Sequence, residues 1–513
     1  MKRRDFLFCA TAAAASCGRR AGALGGSEVA AELTLHEDAA AAAIPHNFIG
    51  LSYELAQLTD PTFFSPDNRD LVAYFRLLST SGVLRLGGNT SEFCWFKSGT
   101  STQAPKLHVP PGNLDANWMP HQLFQINPEA IDALTGFLQA TKWRLIYGLN
   151  FGNSTPQRAA DEAAHVAQKI GDQLEFFQVG NEPDLYTNSN NGTRPPHWDF
   201  SDYVNKWAEF ATAVAAKVPA ARFGAPDVAA SSDWITRFSV QVPAPLASRV
   251  VALTGHYYAE GPPDDPRVTI QRLLAGNPKI STQTQEIVPA ARSSRRVYRM
   301  TEGNSCYRGG KPGVSDSFAA ALWAGDYLLE LASLGCAGVN LHGGRSAFLT
   351  AGLGGHTPGM KVAAKPQAVH SGFYSPIQSE PGMDIKAMPV FYGMMLANQF
   401  AGAKMLRATC DLKDLNVTVY AARREPETLI NIFNKDETSS LQLVVRGLMN
   451  ASSAVIWRMR APRLDATEDI QLAGAQIKPH AQWTPRTIEN IELKNGKAYL
   501  DVPPASAALL ILK

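Results

Sequence analysis

Between residue 48 and about residue 400 the chain repeats one unit eight times: a short apolar run, a polar or Gly-rich loop, then an amphipathic stretch. The runs begin at Phe48 (FIGLSYEL), Gly82 (GVLRLGGN), Arg144 (RLIYGLNF), Leu174 (LEFFQVGNEP), Arg222 (RFGAPDVA), Val250 (VVALTGHYY), Arg295 (RRVYRMTEGN) and Gly338 (GVNLHGG). Continuous apolar runs of this length suit strands buried on both faces, hence a parallel sheet. Asp70 to Ser81 sets Leu71, Tyr74, Phe75 and Leu78 on one helical face and stops at Gly82. Phe200 to Val218 keeps Tyr203, Trp207, Phe210 and Ala211 in register. Phe318 to Leu334 is apolar nearly all round, with Ser315-Asp316 as its expected cap and Gly335 as its stop. Eight strand–helix units predict an α/β chain of the (β/α)8 barrel kind. An open doubly wound sheet is the competitor, but Leu86-Gly87-Gly88-Asn89 lacks its G-x-G-x-x-G phosphate loop.

After Gly402 the pattern changes to short β-rich runs at Asn416–Ala421, Thr428–Phe433, Leu441–Val445, Ala454–Met459, Ala498–Val502 and Ala508–Leu512. Polar turns separate them, as in an all-β sandwich. Ala31 to His36 (AELTLH) precedes the barrel and is expected to join that sandwich. The expected organisation is therefore a catalytic barrel over 45–402 and a β-sandwich built from 25–44 and 403–513.

Residues 1–24 read as an export signal instead of part of the fold. Lys2-Arg3-Arg4-Asp5-Phe6-Leu7, the apolar run Phe8 to Ala15 and Ala21-Gly22-Ala23 supply its basic, hydrophobic and small-residue regions. The Arg pair before Phe-Leu is of twin-arginine type, so the expected location is periplasmic or extracellular. Lipid attachment at Cys17 is the alternative, disfavoured by Ala14 where such signals carry Leu. Removing these residues turns a formal charge of +2 into 43 basic and 45 acidic residues, a net of −2. Such a balance argues against a general nucleic-acid binder. No stretch beyond the N-terminus approaches the roughly 20 apolar residues of a membrane span. Cys94, Cys306, Cys336 and Cys410 show no metal-ligand spacing and read as small buried apolar groups. No His/Cys/Asp/Glu cluster has ligand spacing either, so neither metal nor cofactor is expected.

Barrels place chemistry where strands end. Those positions hold Glu54, Asn89, Asn150, Asn181-Glu182, Asp227, His256-Tyr257, Glu302 and His342. Glu182 and Glu302 end the fourth and seventh strands, so closure of the barrel brings them face to face. Paired carboxylates are what glycosidic hydrolysis needs, one to protonate the leaving oxygen and one to attack the sugar carbon. Taken singly, a Glu at a strand end is more often a salt-bridge partner or a cap. Pro183 disfavours a right-handed helical Glu182 and is expected to hold it extended, aimed off the strand.

The segment from Gln178 to Pro183 (QVGNEP), with Glu302 on the seventh strand, resembles the clan of retaining glycosidases whose acid/base follows Asn. The continuation from Glu302 to Gly310 (EGNSCYRGG), with Leu84 to Gly88 (LRLGG) and His256-Tyr257-Tyr258, resembles glycoside hydrolase family 79, the β-glucuronidase and heparanase family. That resemblance implies Glu182 as general acid/base and Glu302 as nucleophile. It implies Asn181 at the sugar 2-hydroxyl, Tyr257 holding the nucleophile in line, and Glu54 accepting from the remote hydroxyls. Tyr307, with the backbone amides around Arg308 and Gly309, would bind the glucuronic carboxylate, and Tyr374 would join them from the loop after strand eight. Without the resemblance, Tyr257 and Tyr307 read equally well as packing aromatics, and Arg85 as a neutraliser of buried carboxylates.

The implied activity is that of an exported, retaining exo-β-glucuronidase acting on a carbohydrate that ends in β-linked glucuronic acid. Three alternatives are an endo-acting heparanase-like enzyme, a non-catalytic carbohydrate binder on the same barrel, and a xylosidase or arabinosidase of the same clan. The endo reading calls for clustered Lys and Arg beside the site motifs, which the sequence lacks.

Overall fold

The computed structural model describes residues 28–36, 42–99, 102–107, 123–187, 194, 197–229, 231–353, 372–448 and 451–513. The export signal expected over 1–24 lies outside them.

All eight apolar runs are strands of one closed barrel. In chain order they are Ile49–Glu54, Val83–Gly87, Arg144–Leu149, Leu174–Val179, Phe223–Val228, Val250–Glu260, Val297–Cys306 and Val339–Gly343. Each is parallel to its neighbour in sequence, and strand eight closes on strand one through Val339↔Ile49 to Gly343↔Tyr53. Strands one, two and five are buried at every position, as a barrel wall covered by helices requires. The helices Arg69–Leu78, Phe200–Lys217 and Phe318–Ser333 turn the expected apolar faces inward. The cap of the last is displaced from its expected position. Ser317 stands at the cap, because Asp316 instead accepts from Gly313 N–H (2.6 Å) in the preceding turn.

The C-terminal region is one eleven-stranded sheet that curls back on itself to make the sandwich. Leu33, Leu441, Leu443 and Leu500 from one half pack against Ile430, Ile432, Ile456 and Leu510 from the other. The N-terminal strand Glu28–His36 runs between Lys404–Cys410, antiparallel, and Ser440–Arg446, parallel. Lys404–Cys410, in which Leu406, Ala408 and Cys410 face the core and alternate with exposed Arg407 and Thr409, lies outside the runs expected from the sequence; it is the strand that joins the two halves.

Phe318–Ser333 is apolar all round because it is covered on every side. Its inner face packs on the barrel, helix Pro389–Asn398 crosses it, and the sheet covers the rest. Asp326 is its polar anchor, accepting from Thr418 Oγ1 (2.6 Å) and Tyr420 Oη (2.7 Å) and paired with Lys435 Nζ (2.5 Å). At the crossing, a Cβ on Gly393 would lie 2.0 Å from the Ala321 carbonyl oxygen, and one on Gly325 would lie 2.5 Å from the Phe433 ring. Backbone cannot yield as a side chain can, so Gly393→Val should cost about 1–3 kcal/mol. A thermal melt should then show a midpoint lowered by several degrees, whereas an unchanged midpoint would contradict this packing.

Candidate active site

The site is organised by one buried cation. Arg85, in the middle of strand two and 1% exposed, points into the barrel. Its Nε donates to Gln178 Oε1 (2.8 Å), Nη1 to Ser52 Oγ (3.1 Å) and Glu302 Oε2 (2.6 Å), and Nη2 to Asn181 Oδ1 (2.9 Å) and Asp227 Oδ2 (2.8 Å). All five guanidinium donor directions are thus spent on strands one, four, five and seven. Burial penalises the charge, but Asp227 and Glu302 outweigh it and hold Arg85 protonated.

Glu302 and Glu182 face each other across the mouth, with carboxylate oxygens and a His256 ring nitrogen all within 4.8 Å of one another. Glu302 is held at both oxygens, by Arg85 at Oε2 and by the Tyr258 hydroxyl at Oε1 (2.8 Å). Burial alone would raise its pKa, but the charges of His342, His256 and Arg85 and the Tyr258 bond more than offset that, so it stays ionised. Glu182 shifts the other way. Burial raises its pKa and the charge of Glu302 adds to this, while the His256 contact offsets only part. Two carboxylates in contact thus divide into an anion and a proton holder.

His256 links the pair to the hub, with Nδ1 3.0 Å from Glu182 Oε1 and Nε2 3.2 Å from Asp227 Oδ1. Burial opposes its charge, but Asp227, Glu302 and the flanking hydrogen bonds push its pKa up to about 10. Glu182, His256 and Glu302 also lie within metal-ligand reach of one another, and His256 meets a carboxylate at each ring nitrogen.

Pro183 excludes the right-handed helical form for Glu182, yet the residue is not extended as expected. It is left-handed, at φ 51°, ψ 51°. The reason is local: its N–H donates to the Asp227 carbonyl (2.9 Å) and its carbonyl accepts from Leu185 N–H (2.9 Å), which turns the chain sharply off strand four. Strain of this sort is held by surrounding contacts and concentrates at functional sites.

The carboxylates open into a cavity of about 450 Å³. Glu54, Glu182, Tyr257, Glu302, Tyr307, Arg308, Gly309 and Tyr374 all line it. Asn181 does not. It sits one layer below, its Oδ1 taken by Arg85 and its Nδ2 donating to Asn89 Oδ1 (3.1 Å), and Asn89 reaches the cavity instead. Glu54 is anchored at Oε2 by the Thr90 amide (2.8 Å) and hydroxyl (2.6 Å). Tyr374 is 3% exposed and lies tilted on Tyr258, which also meets Tyr307 edge-on. Arg308, Gly309 and Gly310 all have positive φ, forming a tight concave turn of backbone beside Tyr307.

One assignment needs correction. The hydroxyl that holds Glu302 is that of Tyr258, not Tyr257. Side chains alternate along a strand, so if His256 points into the barrel then Tyr258 does too and Tyr257 points away. Tyr257 instead stacks on Tyr327 (5.9 Å, 18°) and touches the cavity only at its rim. That alternation was present in the sequence. Asn277, which caps the helix Pro278–Ser293, and Lys279 and Gln283 within that helix also line the cavity, and reading only strand ends misses them.

Removing Arg85 leaves Asp227 and Glu302 buried without their cation, a loss of about 3–5 kcal/mol. Both carboxyls titrate below their ordinary values in the folded chain. The stability they contribute is present at neutral pH and lost as pH falls through the folded pKa values. In the wild type both carboxyls are still ionised at pH 4, but with the cation gone burial raises them, and the protonated forms that pH 4 supplies relieve the variant. Arg85→Met should therefore lower the thermal midpoint more at pH 7 than at pH 4, and an equal deficit at both would contradict the ion-pair account.

No family model matches the chain. It is 26% identical over 333 residues to a β-glucuronidase of Aspergillus niger, a match covering 60% of each chain. It is 25% identical over 349 residues to a β-glucuronidase of Neurospora crassa, covering 61% of this chain and 60% of that one. The match thus spans about three fifths of the length of these curated relatives. In fold it is similar to a 4-O-α-L-rhamnosyl-β-D-glucuronidase from Fusarium oxysporum, with a TM-score of 0.71, 18% identity, and 94% of this chain and 100% of that one covered. It is also similar to a family 51 arabinofuranosidase from Xanthomonas axonopodis pv. citri, with a TM-score of 0.65, 14% identity and 95% and 100% covered. These likenesses agree with a (β/α)8 barrel carrying an accessory β domain.

Proposed function

We propose that the chain is a retaining exo-β-glucuronidase of the family 79 type, exported on the signal formed by its first 24 residues. The observation that carries this reading is the approach of Glu182 and Glu302 to within 4.8 Å with opposite shifts in acidity. A separation of about 5–5.5 Å suits direct attack by one carboxylate, whereas inversion needs about 6.5–9.5 Å for an intervening water. The β-glucuronidase names of two relatives support the sugar.

In this mechanism Glu302 Oε attacks the anomeric carbon while Glu182 gives its proton to the leaving oxygen. The glycosidic bond breaks, and a glucuronyl ester on Glu302 forms. Glu182, now ionised, takes a proton from water as that water attacks the same carbon, which releases glucuronic acid and regenerates both carboxyls. Tyr258 and Arg85 hold the nucleophile in line. The turn at Arg308–Gly309 offers backbone N–H groups, with the Tyr307 and Tyr374 hydroxyls beside it, to the sugar carboxylate. Glu54 faces the remote hydroxyls. Among the described residues the lining contains two cations, Lys279 and Arg308, fewer than a run of sulfates calls for, which favours trimming chain ends over internal cleavage.

The test is hydrolysis of a chromogenic β-glucuronide, with ¹H NMR of the first-formed anomer. Retention is expected. Glu182→Gln should lose roughly 10²–10⁴-fold in turnover, and Glu302→Gln should abolish the covalent intermediate. Unchanged turnover in Glu302→Gln, or an inverted first product, would sink the mechanism. Shortening of internal heparan sulfate bonds would favour the endo reading. Tyr258→Phe should lower kcat, because Glu302 Oε1 loses its donor, while Tyr257→Phe leaves kcat near wild type; the reverse order would contradict the assignment.

A further inference from the structure

Directly below the Asn181–Glu182 turn lies a further buried carboxylate, Glu92, 1% exposed, which the mechanism above does not use. It sits in the short 3-10 turn Asn89–Phe93 that follows strand two. Its Oε1 accepts from the Asn181 N–H (2.8 Å), and its Oε2 accepts from the N–H groups of Phe151 (3.1 Å) and Gly152. One side chain thus collects three main-chain donors from the ends of strands three and four. Three parallel strand ends have no ladder partner beyond the barrel rim, so these donors would otherwise be buried without acceptors.

The joint is tied from both sides. Asn150 Nδ2 donates to the Cys94 carbonyl (2.7 Å) and Asn153 Nδ2 to the Glu92 carbonyl (2.9 Å), which returns the strand-three loop to the turn that carries Glu92. Arg194 Nη2 donates to the Phe151 carbonyl (2.5 Å) on the opposite edge of the same peptide segment. On the strand-four side the same carboxylate holds the Asn181 N–H, one peptide before Glu182, whose own N–H goes to the Asp227 carbonyl.

We propose that Glu92 is a positioning residue for the general acid/base: by gripping the Asn181 amide it fixes the left-handed turn that aims the Glu182 carboxyl at the leaving oxygen. The proposal rests on the glycosidase reading, and goes beyond it by naming a residue outside the cavity that acts through the acid/base carboxyl. A carboxylate can accept at both oxygens toward three converging donors. A carboxamide of the same size has one oxygen, and its NH₂ must face either Asn181 N–H or the Phe151–Gly152 pair. Glu92→Gln therefore keeps the volume and disturbs the grip.

A merely structural role would weaken all chemistry alike. A role exerted through Glu182 would not, because protonation matters only when the leaving group is poor. The experiment compares kcat/KM of the wild type and of Glu92→Gln on phenyl β-glucuronide and on 2,4-dinitrophenyl β-glucuronide, whose leaving group departs without a proton. We expect a loss of at least tenfold on the phenyl substrate and less than threefold on the dinitrophenyl one. Glu92→Asp, which keeps the charge but shortens the reach, should show the same asymmetry. Equal losses on both substrates, or no loss on either, would overturn the proposal. So would failure of both variants to fold, since the residue would then be structural. A wild type inactive on both glucuronides would refute the functional reading instead, so the two failures are distinct.

Discussion

The site depends on a guanidinium enclosed by a barrel. Arg85 is fully buried, and its charge is tolerated because Asp227 and Glu302 lie against it and every N–H finds an oxygen. A barrel interior is ordinarily filled by branched aliphatic side chains. Here the layer nearest the mouth is polar instead, and the lower inward positions Val83, Ile146, Phe176 and Ala252 supply the apolar floor. Geometry at the mouth therefore comes from charge pairing and not from packing. A planar fork with five fixed donors can orient five partners at once, which a lysine ammonium cannot.

The same network separates the two carboxyls. Positive charge from Arg85 and His256 lies against Glu302 and Asp227, while Glu182 receives only the imidazolium edge and the repulsion of Glu302. Burial acts on both acids in the same direction, so the difference between them is made by the placement of neighbours. His256 is held charged by Asp227 and serves both acids, lowering Glu302 through its field and contacting Glu182 directly.

Much of this was legible in the sequence, for a physical reason. Strands buried on both faces leave uninterrupted apolar runs, and eight of them in alternation with helical patterns have few ways to pack; hence every barrel strand was readable within a few residues. Glu54, Glu182 and Glu302 were readable because polar residues that close such runs fall at one end of the barrel. What failed was finer. The resemblance names Tyr257, whereas the two-residue period from His256 points to Tyr258. Glu182 was expected to be extended, because the rule for a residue before proline excludes one conformation without choosing among the others. Glu92 carries no signal at all: its role arises where three strand ends converge, a juxtaposition that no local pattern encodes. Lys279 and Gln283 enter from a helix, so a reading confined to strand ends passes over them.

The strand Glu28–His36 has a further consequence. Its register places Glu28 beside Ser440 and His36 beside Arg407, so it occupies an interior lane of the C-terminal sheet. That lane has no second wall until the chain has been made past residue 446, and closing a loop of roughly 400 residues is entropically slow to begin though cheap to extend. The barrel, whose contacts join consecutive units, can assemble first. Without that strand, Lys404–Cys410 and Ser440–Arg446 would each present an unpaired edge. Glu28–His36 is the latch that joins those two edges into one continuous sheet.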